Sequence, residues 1–527
     1  MTDELERLRS SALEALGKDW LGDPIEDTQL LRRQIARRCI FGVDLNPLAV
    51  ELARLSIWIH TFVPGLPLSF LDANLVIGNS LVGIATFEEA SELIGANADG
   101  DLFAFAGAER LHQARGPIER LARLAEATAA EVKEAKKLFE QAGESIRGEA
   151  NLLTVLAASR IDDDISKAVA GGQVATKLAE QGDVFSDALV RRAEKALGGL
   201  QVLHFPIAFP QVFLGRRGGF DVIIGNPPWE EATVEEDAFW ARHSPGMRSL
   251  PQREQETEKA KLRRQRPDLV AEYDDAVARA ERLRRVLVSG PFPGMGTGDP
   301  DVYKAFCWRF WNLASAEGGR IGVVLPRSAL SAKGSAEFRL RALLTAKHVD
   351  VTILLNTGGW AFDEAEHRYT IGLVTVARDA EVGGQVALRG PYASLPAYRA
   401  GAVREPLVVP AKDLSSWNDT ASLPLLPSER SGEVFAKLRR APRLDLDDGT
   451  SWRARPQAEL HATNDKGLMD LKSKECPDGY WPVFKGESFD IWTNDTGKYY
   501  AWADPAKVLS ALYEKRLRSA GKGGSAF

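Results

Sequence analysis

Cysteine is scarce in this chain, and what there is lies far apart. Cys39, Cys307 and Cys476 are the only three among 527 residues. They form no C-x-x-C pair, which excludes a disulfide framework and a clustered zinc site and fits a reducing, cytoplasmic setting. The seven histidines likewise show no metal-ligand spacing, so no metal is expected. No apolar run reaches the roughly 18 residues a membrane span requires, and the charged, helical N-terminus is not a signal peptide, so no membrane partner is expected. An excess of positive charge is also missing. With 67 basic against 73 acidic residues the formal charge is −6, which neither advertises nor excludes a nucleic-acid partner, since a local basic groove can sit inside an acidic protein. No internal repeat or low-complexity tract occurs.

What remains is an ordinary globular composition, 44% hydrophobic and 27% charged, in a chain long enough for two to four domains. Strand-length apolar runs occur at 39–45, 75–80, 220–225, 320–326, 349–356 and 370–377. Most are continuous, as strands buried on both faces of a parallel sheet are. Helical patterns separate several of them. In "NPLAVELARLSIWIH", Asn46 is a candidate N-cap, Pro47 occupies the first helical position, and Leu48, Leu52, Leu55 and Ile59 share one face. These features predict an α/β fold with an open sheet.

Six segments are expected. The first part of the sheet spans 1–95, a helical insertion 96–200, and the strand with its "NPPW" motif 201–232. A second helical insertion spans 233–300, the rest of the sheet 301–380, and a Pro-, Trp- and Gly-punctuated second domain 381–527. The basic stretch "KAKLRRQRP" (259–267) fits either phosphate contact or a self-paired, solvated helix face.

The chemistry concentrates in "GGFDVIIGNPPWEEA". A buried strand runs into Asn226-Pro227-Pro228-Trp229, a string that chance would place in roughly one chain of this length in a few hundred. A strand ending there sets the motif at the carboxyl edge of the sheet, where open α/β sheets bind ligands. The Asn226 side-chain oxygen and the Pro227 carbonyl can together accept both hydrogens of a planar amino group, leaving the nitrogen lone pair exposed. The two prolines force the chain out of the ladder and hold those acceptors stiffly. Trp229 offers a flat face to a heterocycle. A second strand end carries Asp44, where a carboxylate can accept from both hydroxyls of a ribose and Leu45 can pack on an adenine ring; simple helix-capping chemistry fits Asp44 equally. Asn79, at a third strand end, offers polar groups to the same edge.

These stretches, taken in order with "FLDANLVIGNSLVG", "HFPIAFPQVF", "GDPDVYKAF", "GGRIGVVLPRSAL" and "FDEAEHRYTIGLV", resemble the gamma-class DNA adenine methyltransferases. The likeness, over about 40 to 380, is to the large enzymes and modification subunits of restriction and phage-defence systems. The resemblance implies a Rossmann-like, S-adenosylmethionine-dependent methyltransferase sheet. It also implies double-stranded DNA as partner, flipping of the target adenine, and restriction or defence subunits alongside. Under it Asp44 binds the ribose of S-adenosylmethionine and Leu45 packs on its adenine, while Asn79 stands where many relatives carry Asp. Asn226 and Pro227, stiffened by Pro228, hold the target amine, Trp229 stacks on the flipped base, and Phe362 is a second aromatic wall. Residues 480–504 more loosely resemble the start of a target-recognition segment, giving a partial recognition domain.

Relatives carry a glycine-rich loop upstream of the ribose-binding carboxylate, and the forty or so residues before Asp44 contain none. The expectation is therefore a sheet incomplete at its N-terminus, in a piece of a longer or split enzyme. Two other functions stay open: a methyltransferase for a protein glutamine or an RNA guanine amine, and a non-catalytic DNA-binding subunit.

Overall fold

A computed structural model describes residues 2–17, 22–94, 116–170, 187–296, 300–363, 365–379, 384–426, 429–443, 445 and 459–520. Parts of the first expected insertion, 96–115 and 171–186, lie outside the described residues. The chain divides into two compact units, Met1–Lys437 and Leu438–Phe527.

The first unit begins with helices α1 (Thr2–Leu16) and α2 (Asp27–Cys39), followed by strand β1 (Gly42–Asp44), helix α3 (Pro47–His60) and strand β2 (Leu75–Ile77). Asn74 sets where β1 starts: its side-chain amide donates to the carbonyls of Arg37 and Ile40, both at 2.9 Å, and its own carbonyl accepts from Gly42 at 2.9 Å. The N-terminus of α3 forms as the sequence predicts. Asn46 accepts from the Leu48 amide at 2.9 Å and Pro47 fills the first helical position, where its missing N–H costs nothing. After β2 come α4 (Phe87–Ile94), helices at Ala129–Ser145 and Asp163–Ala170, and between those two α5 (Arg147–Ala158).

The second sheet starts at β3 (Val222–Gly225) and continues with β4 (Arg320–Pro326), β5 (His348–Leu355), β6 (Thr370–Ala377), β7 (Gln385–Tyr392) and β8 (Leu407–Pro410). Between β3 and β4 lie the helical stretches of the second expected insertion, Glu236–Ala241, Gln252–Gln265 and Pro267–Ser289, and then α6 (Val302–Leu313). The six strands are ordered β3-β4-β6-β5-β7-β8, and β1 and β2 form a separate parallel pair. The sheet is mixed rather than parallel throughout. β6 runs antiparallel to both β4 and β5, and β8 antiparallel to β7. Continuous apolar runs report burial of both faces, not direction; the link from β5 to β6 contains no crossover helix, so the chain returns beside the strand it left. Its core packs Val323, Leu325, Val351 and Val374 of the sheet against Tyr303, Trp308 and Phe338 of the helical layer.

One expectation is met differently. The sheet does not stop near 381: β7 pairs in parallel with β5, and the first compact unit runs on to Lys437. The apolar stripe of α3 does not face the core. Leu48, Leu52, Leu55 and Ile59 are between 50% and 68% exposed.

The second unit contains a small antiparallel sheet of β9 (Met469–Asp470), β10 (Trp481–Val483) and β11 (Ala501–Ala503), ordered β10-β11-β9, and a helix at Pro505–Ala520. Asp465 ties that helix to the loop before β9, accepting from Lys515 Nζ and from the His461 amide at 2.7 Å. Among the described residues no helix is long and apolar enough to cross a membrane.

Candidate functional site

The carboxyl ends of β1, β2 and β3 open onto one cavity of about 690 Å³, within the range of small-molecule sites. Asp44, Leu45, Asn79, Asn226, Pro227 and Pro228 all line it. Six of the eight expected site residues thus meet, from three segments that lie as far apart in sequence as Asp44 and Pro228.

Each is held by local chemistry. Gly225 is the last residue of β3, and a Cβ there would come within 2.6 Å of the Phe310 ring, so glycine lets that ring close the wall behind Asn226. Beyond the prolines the chain is strapped to the start of α6: the Val302 amide donates to the Glu230 carbonyl at 2.9 Å, and Glu231 bridges to Asp301. The Asn226 side chain is exposed and takes no hydrogen bond from a described residue, so its oxygen is available to a ligand. Asp44 uses one carboxylate oxygen locally, Oδ1 accepting from the Asn46 amide at 2.7 Å. Its role at the α3 terminus is real, and it leaves Oδ2 for a second acceptor role. Asn79 is committed to its turn, its side-chain oxygen accepting from Leu81 at 3.0 Å.

Trp229 and Phe362 do not line this cavity. Trp229 is part-buried, packs on the main core and meets Tyr369 edge-on, with centroids 5.8 Å apart and planes at 69°. Its indole Nε1 is buried without a partner. Phe362 sits on the loop after β5, where Asn356 clamps it, donating to its carbonyl at 2.8 Å and accepting from its amide at 3.1 Å. That loop ends in Tyr369, the residue that touches Trp229.

The cavity has one sign of charge. Among the described residues its ionisable lining is Asp44, Glu230 and Glu231, with no Lys, Arg or His. Such a lining repels phosphates and favours a cationic ligand. Among the described residues no group of His, Cys, Asp or Glu is arranged to hold a metal ion.

Behind the cavity stands a polar support that the sequence did not single out. Arg309, on α6 and fully buried, donates to the carbonyls of Leu81 at 3.0 Å and Gly83 at 2.9 Å and pairs with Glu89 at 3.3 Å. Burial draws its guanidinium down to about 10, against the pull of Glu89. Glu89 also pairs with Arg160 and accepts the Ala85 amide at 3.0 Å. His204 finishes the loop: Nδ1 accepts from the Ile84 amide at 3.2 Å, which leaves Nε2 as the protonated nitrogen, 3.1 Å from Thr154 Oγ1. Nothing in sequence spacing links residues 81–85, 204 and 309.

Burial, with Arg160 and Arg309 nearby, pushes the His204 imidazole down to about 3. The unfolded chain binds this proton near pH 6.5 and the folded one does not, so the stability tied to neutral His204 is present above that pH and drains away toward pH 3. Between pH 7 and pH 4 the loss through this one group is about 3 kcal/mol. In urea unfolding across that range, His204→Asn, which keeps an acceptor for Ile84, should flatten the acid limb; an unchanged slope would refute the assignment.

The basic stretch 259–267 is self-paired. Lys259 is buried, bonded to Asp237 at 2.7 Å and Glu256 at 2.5 Å, which raises its ammonium to about 12. Lys261, Arg263 and Arg266 pair with Glu258, Glu236 and Asp268.

No curated protein matches the chain. The cryo-EM structure of the DrdV–DNA complex is 12% identical over 75% of this chain and 42% of that one, with a TM-score of 0.24. The ATP-dependent Type ISP restriction-modification enzyme LlaBIII bound to DNA is 12% identical over 92% and 33%, at 0.21. A nuclease-deletion mutant of the Type ISP enzyme LlaGI, with a DNA substrate mimic, is 11% identical over 71% and 36%, at 0.20. The chain spans less than half the length of each of these structures, and TM-scores this low carry no argument about its fold. Residues 38–257, the stretch that bears Asp44, Asn79 and the Asn226–Trp229 motif, match the family model of the Eco57I restriction-modification methylase.

Proposed function

We propose that this chain carries the catalytic site of an S-adenosylmethionine-dependent methyltransferase with a Rossmann-like sheet. Its substrate is the exocyclic amine of adenine in double-stranded DNA, in a restriction-modification or related defence system. The observation that carries the reading is the convergence of Asp44 and Asn226-Pro227 on one cavity whose charged lining is wholly acidic. The match of residues 38–257 to a restriction-modification methylase family supports the same chemistry.

The donor set fits the cofactor. In this reading Asp44 Oδ2 accepts from the ribose hydroxyls and Leu45, exposed on the same cavity, packs on the adenine ring, while the acidic lining suits a ligand with an ammonium and a sulfonium. When bound, S-adenosylmethionine supplies a methyl group made electrophilic by its sulfonium. The chain's own work is to hold the nucleophile. Asn226 Oδ1 and the Pro227 carbonyl accept the two amine hydrogens, and these bonds strengthen as positive charge develops on the nitrogen, so they favour the transition state over the ground state. The stiff Pro-Pro segment keeps both acceptors in place, which is the entropic part of catalysis. In this reading Trp229, which meets Tyr369 edge-on beside the motif, stacks on the flipped base, and Phe362 is a second aromatic wall. A paired adenine cannot present its amine in this way, so the base must leave the stack.

Titration calorimetry with S-adenosylmethionine tests the reading. The native chain should bind, and Asp44→Ala should lose about 10- to 100-fold in affinity, as removal of a charged acceptor does. ATP should not compete. Equal binding by the Asp44→Ala variant would sink the ribose assignment. A chain that binds duplex DNA but never the cofactor would instead be a DNA-binding subunit.

A further inference from the structure

The first unit holds a further cavity of the opposite charge. About 360 Å³ in volume, it opens over the far end of the large sheet, at β5, β7 and β8, and shares no lining residue with the candidate site.

Its floor is aliphatic. Val351, Leu388 and Leu407 stand in register across β5, β7 and β8, and Leu330 and Leu423 line it with them. The next position of β7 on that face is Gly390, at φ +85°, where a Cβ would strike the Ile353 carbonyl. Here β7 carries one residue more than β5, between the pairs Thr352–Arg389 and Leu354–Tyr392. A side chain is thus missing from the aliphatic row where the strand bulges, and the space stays open.

The rim is basic. Arg327 follows β4, Arg404 follows the helix at Leu395–Ala402, and Arg430 belongs to the helix at Glu429–Leu438. All three are exposed, and among the described residues none has a carboxylate partner. Arg389 lines the cavity as well but is paired with Asp350. Among the described residues Glu405 is the one acid in the lining. A single exposed arginine needs no explanation. Three from separate segments around one concavity, in a chain of net charge −6 whose Arg263 and Arg266 do find carboxylates, are a departure.

A buried cation stands behind the wall. Arg339 is 1% exposed and donates to the carbonyls of Ala329 and Ala332, both at 2.8 Å, Thr420 at 2.9 Å and Ala421 at 3.1 Å. Unlike Arg309, it pairs with no carboxylate among the described residues. Its fork ties the turn that bears Leu330 to the segment that bears Leu423, whose amide donates to the Leu330 carbonyl at 2.8 Å. The wall is therefore fixed, and the potential over the cavity is positive.

We infer that this cavity binds a nucleoside monophosphate. Guanidinium forks match phosphate oxygens, and a dianion answers more than one of them, whereas a monocarboxylate would occupy one. The base and sugar cover the aliphatic floor, and Glu405 accepts from a ribose hydroxyl or an exocyclic amine. Duplex DNA suits the charge and not the shape: its phosphates would meet the rim and leave the floor bare. A concave, largely apolar site with a few charged groups is the form of a small-molecule pocket. The inference rests on this cavity alone and holds whether or not the chain transfers methyl groups.

Titration calorimetry of the full chain at low salt, with each of the four ribonucleoside 5′-monophosphates in turn, tests it. At least one should bind one-to-one, and both its parent nucleoside and inorganic phosphate should bind at least tenfold more weakly. Arg327→Gln and Arg404→Gln should each cost about tenfold or more, the scale of a charged hydrogen bond. Thermal unfolding should not move, because both side chains are exposed and unpaired. Asp44→Ala should leave the nucleotide affinity unchanged. Binding lost in that variant would place the nucleotide in the acidic cavity and overturn the inference. So would no saturable binding by any of the four, equal affinity for nucleoside or phosphate, or native affinity in the arginine variants. Duplex binding that falls in the arginine variants, with no nucleotide bound by the native chain, would make the rim a DNA contact instead.

Discussion

Asn226→Ala is expected to lower methyl transfer to duplex DNA by at least about 100-fold, the scale seen when one preorganised polar partner of a transition state is removed. The assay belongs in the active enzyme, with whatever subunits it assembles. The effect should fall on kcat, because the bond between the amide oxygen and the amine is worth more once charge develops on nitrogen. Thermal stability should not move, since the side chain is exposed and bonds to no described residue. Asn226→Asp sharpens the test. It preserves an acceptor and adds a charge beside Glu230 and Glu231, so some activity should return, with a steeper dependence on salt and pH than the native enzyme has. An alanine variant that methylates at the native rate would remove the basis of the proposed chemistry.

Arg309→Leu should cost the first unit about 3 to 5 kcal/mol of stability, as expected when one partner of a buried ion pair is removed. The change strands Glu89 beside Arg160 and leaves the carbonyls of Leu81 and Gly83 without a buried donor. Those carbonyls belong to the loop that follows Asn79 and forms one wall of the candidate site. Cofactor binding should therefore weaken along with folding. Arg309→Lys is the control: it retains the charge opposite Glu89 but cannot reach two carbonyls with a planar fork, and should fall between the two. Urea unfolding of the three proteins decides the matter. A loss below about 1 kcal/mol for Arg309→Leu, the usual size for a surface position, would show that the buried network is not what holds this wall.

Much of the site is legible in the sequence. β3 and its Asn-Pro-Pro exit, β1 and its terminal Asp44, and the Asn46-Pro47 start of α3 all follow from short-range rules, in which steric and hydrogen-bonding preferences act within a few residues. Strand positions read from apolar runs agree with β4 and β6 to the residue. Strand direction did not follow, because a strand buried on both faces looks alike in either orientation. Trp229 was read as a stacking face for a heterocycle, and Phe362 as a second aromatic wall by resemblance alone; the structure puts Trp229 against Tyr369 and clamps Phe362 with Asn356, contacts that depend on where a distant loop lands. The period of α3 placed Leu48, Leu52, Leu55 and Ile59 on one face, and the structure turns that face to solvent. Periodicity says that a face is apolar, and not what covers it.

By itself, then, the order of residues determined the strands, the caps and the chemical character of the two strand ends. Those depend on neighbours within a turn or a ladder step. Tertiary structure alone decided that Asp44 and Asn226 share one cavity, that its charge has a single sign, and that Arg309 and His204 hold its wall. Each of these is a distance between segments many tens of residues apart, fixed by the packing of the whole sheet and invisible to any local pattern.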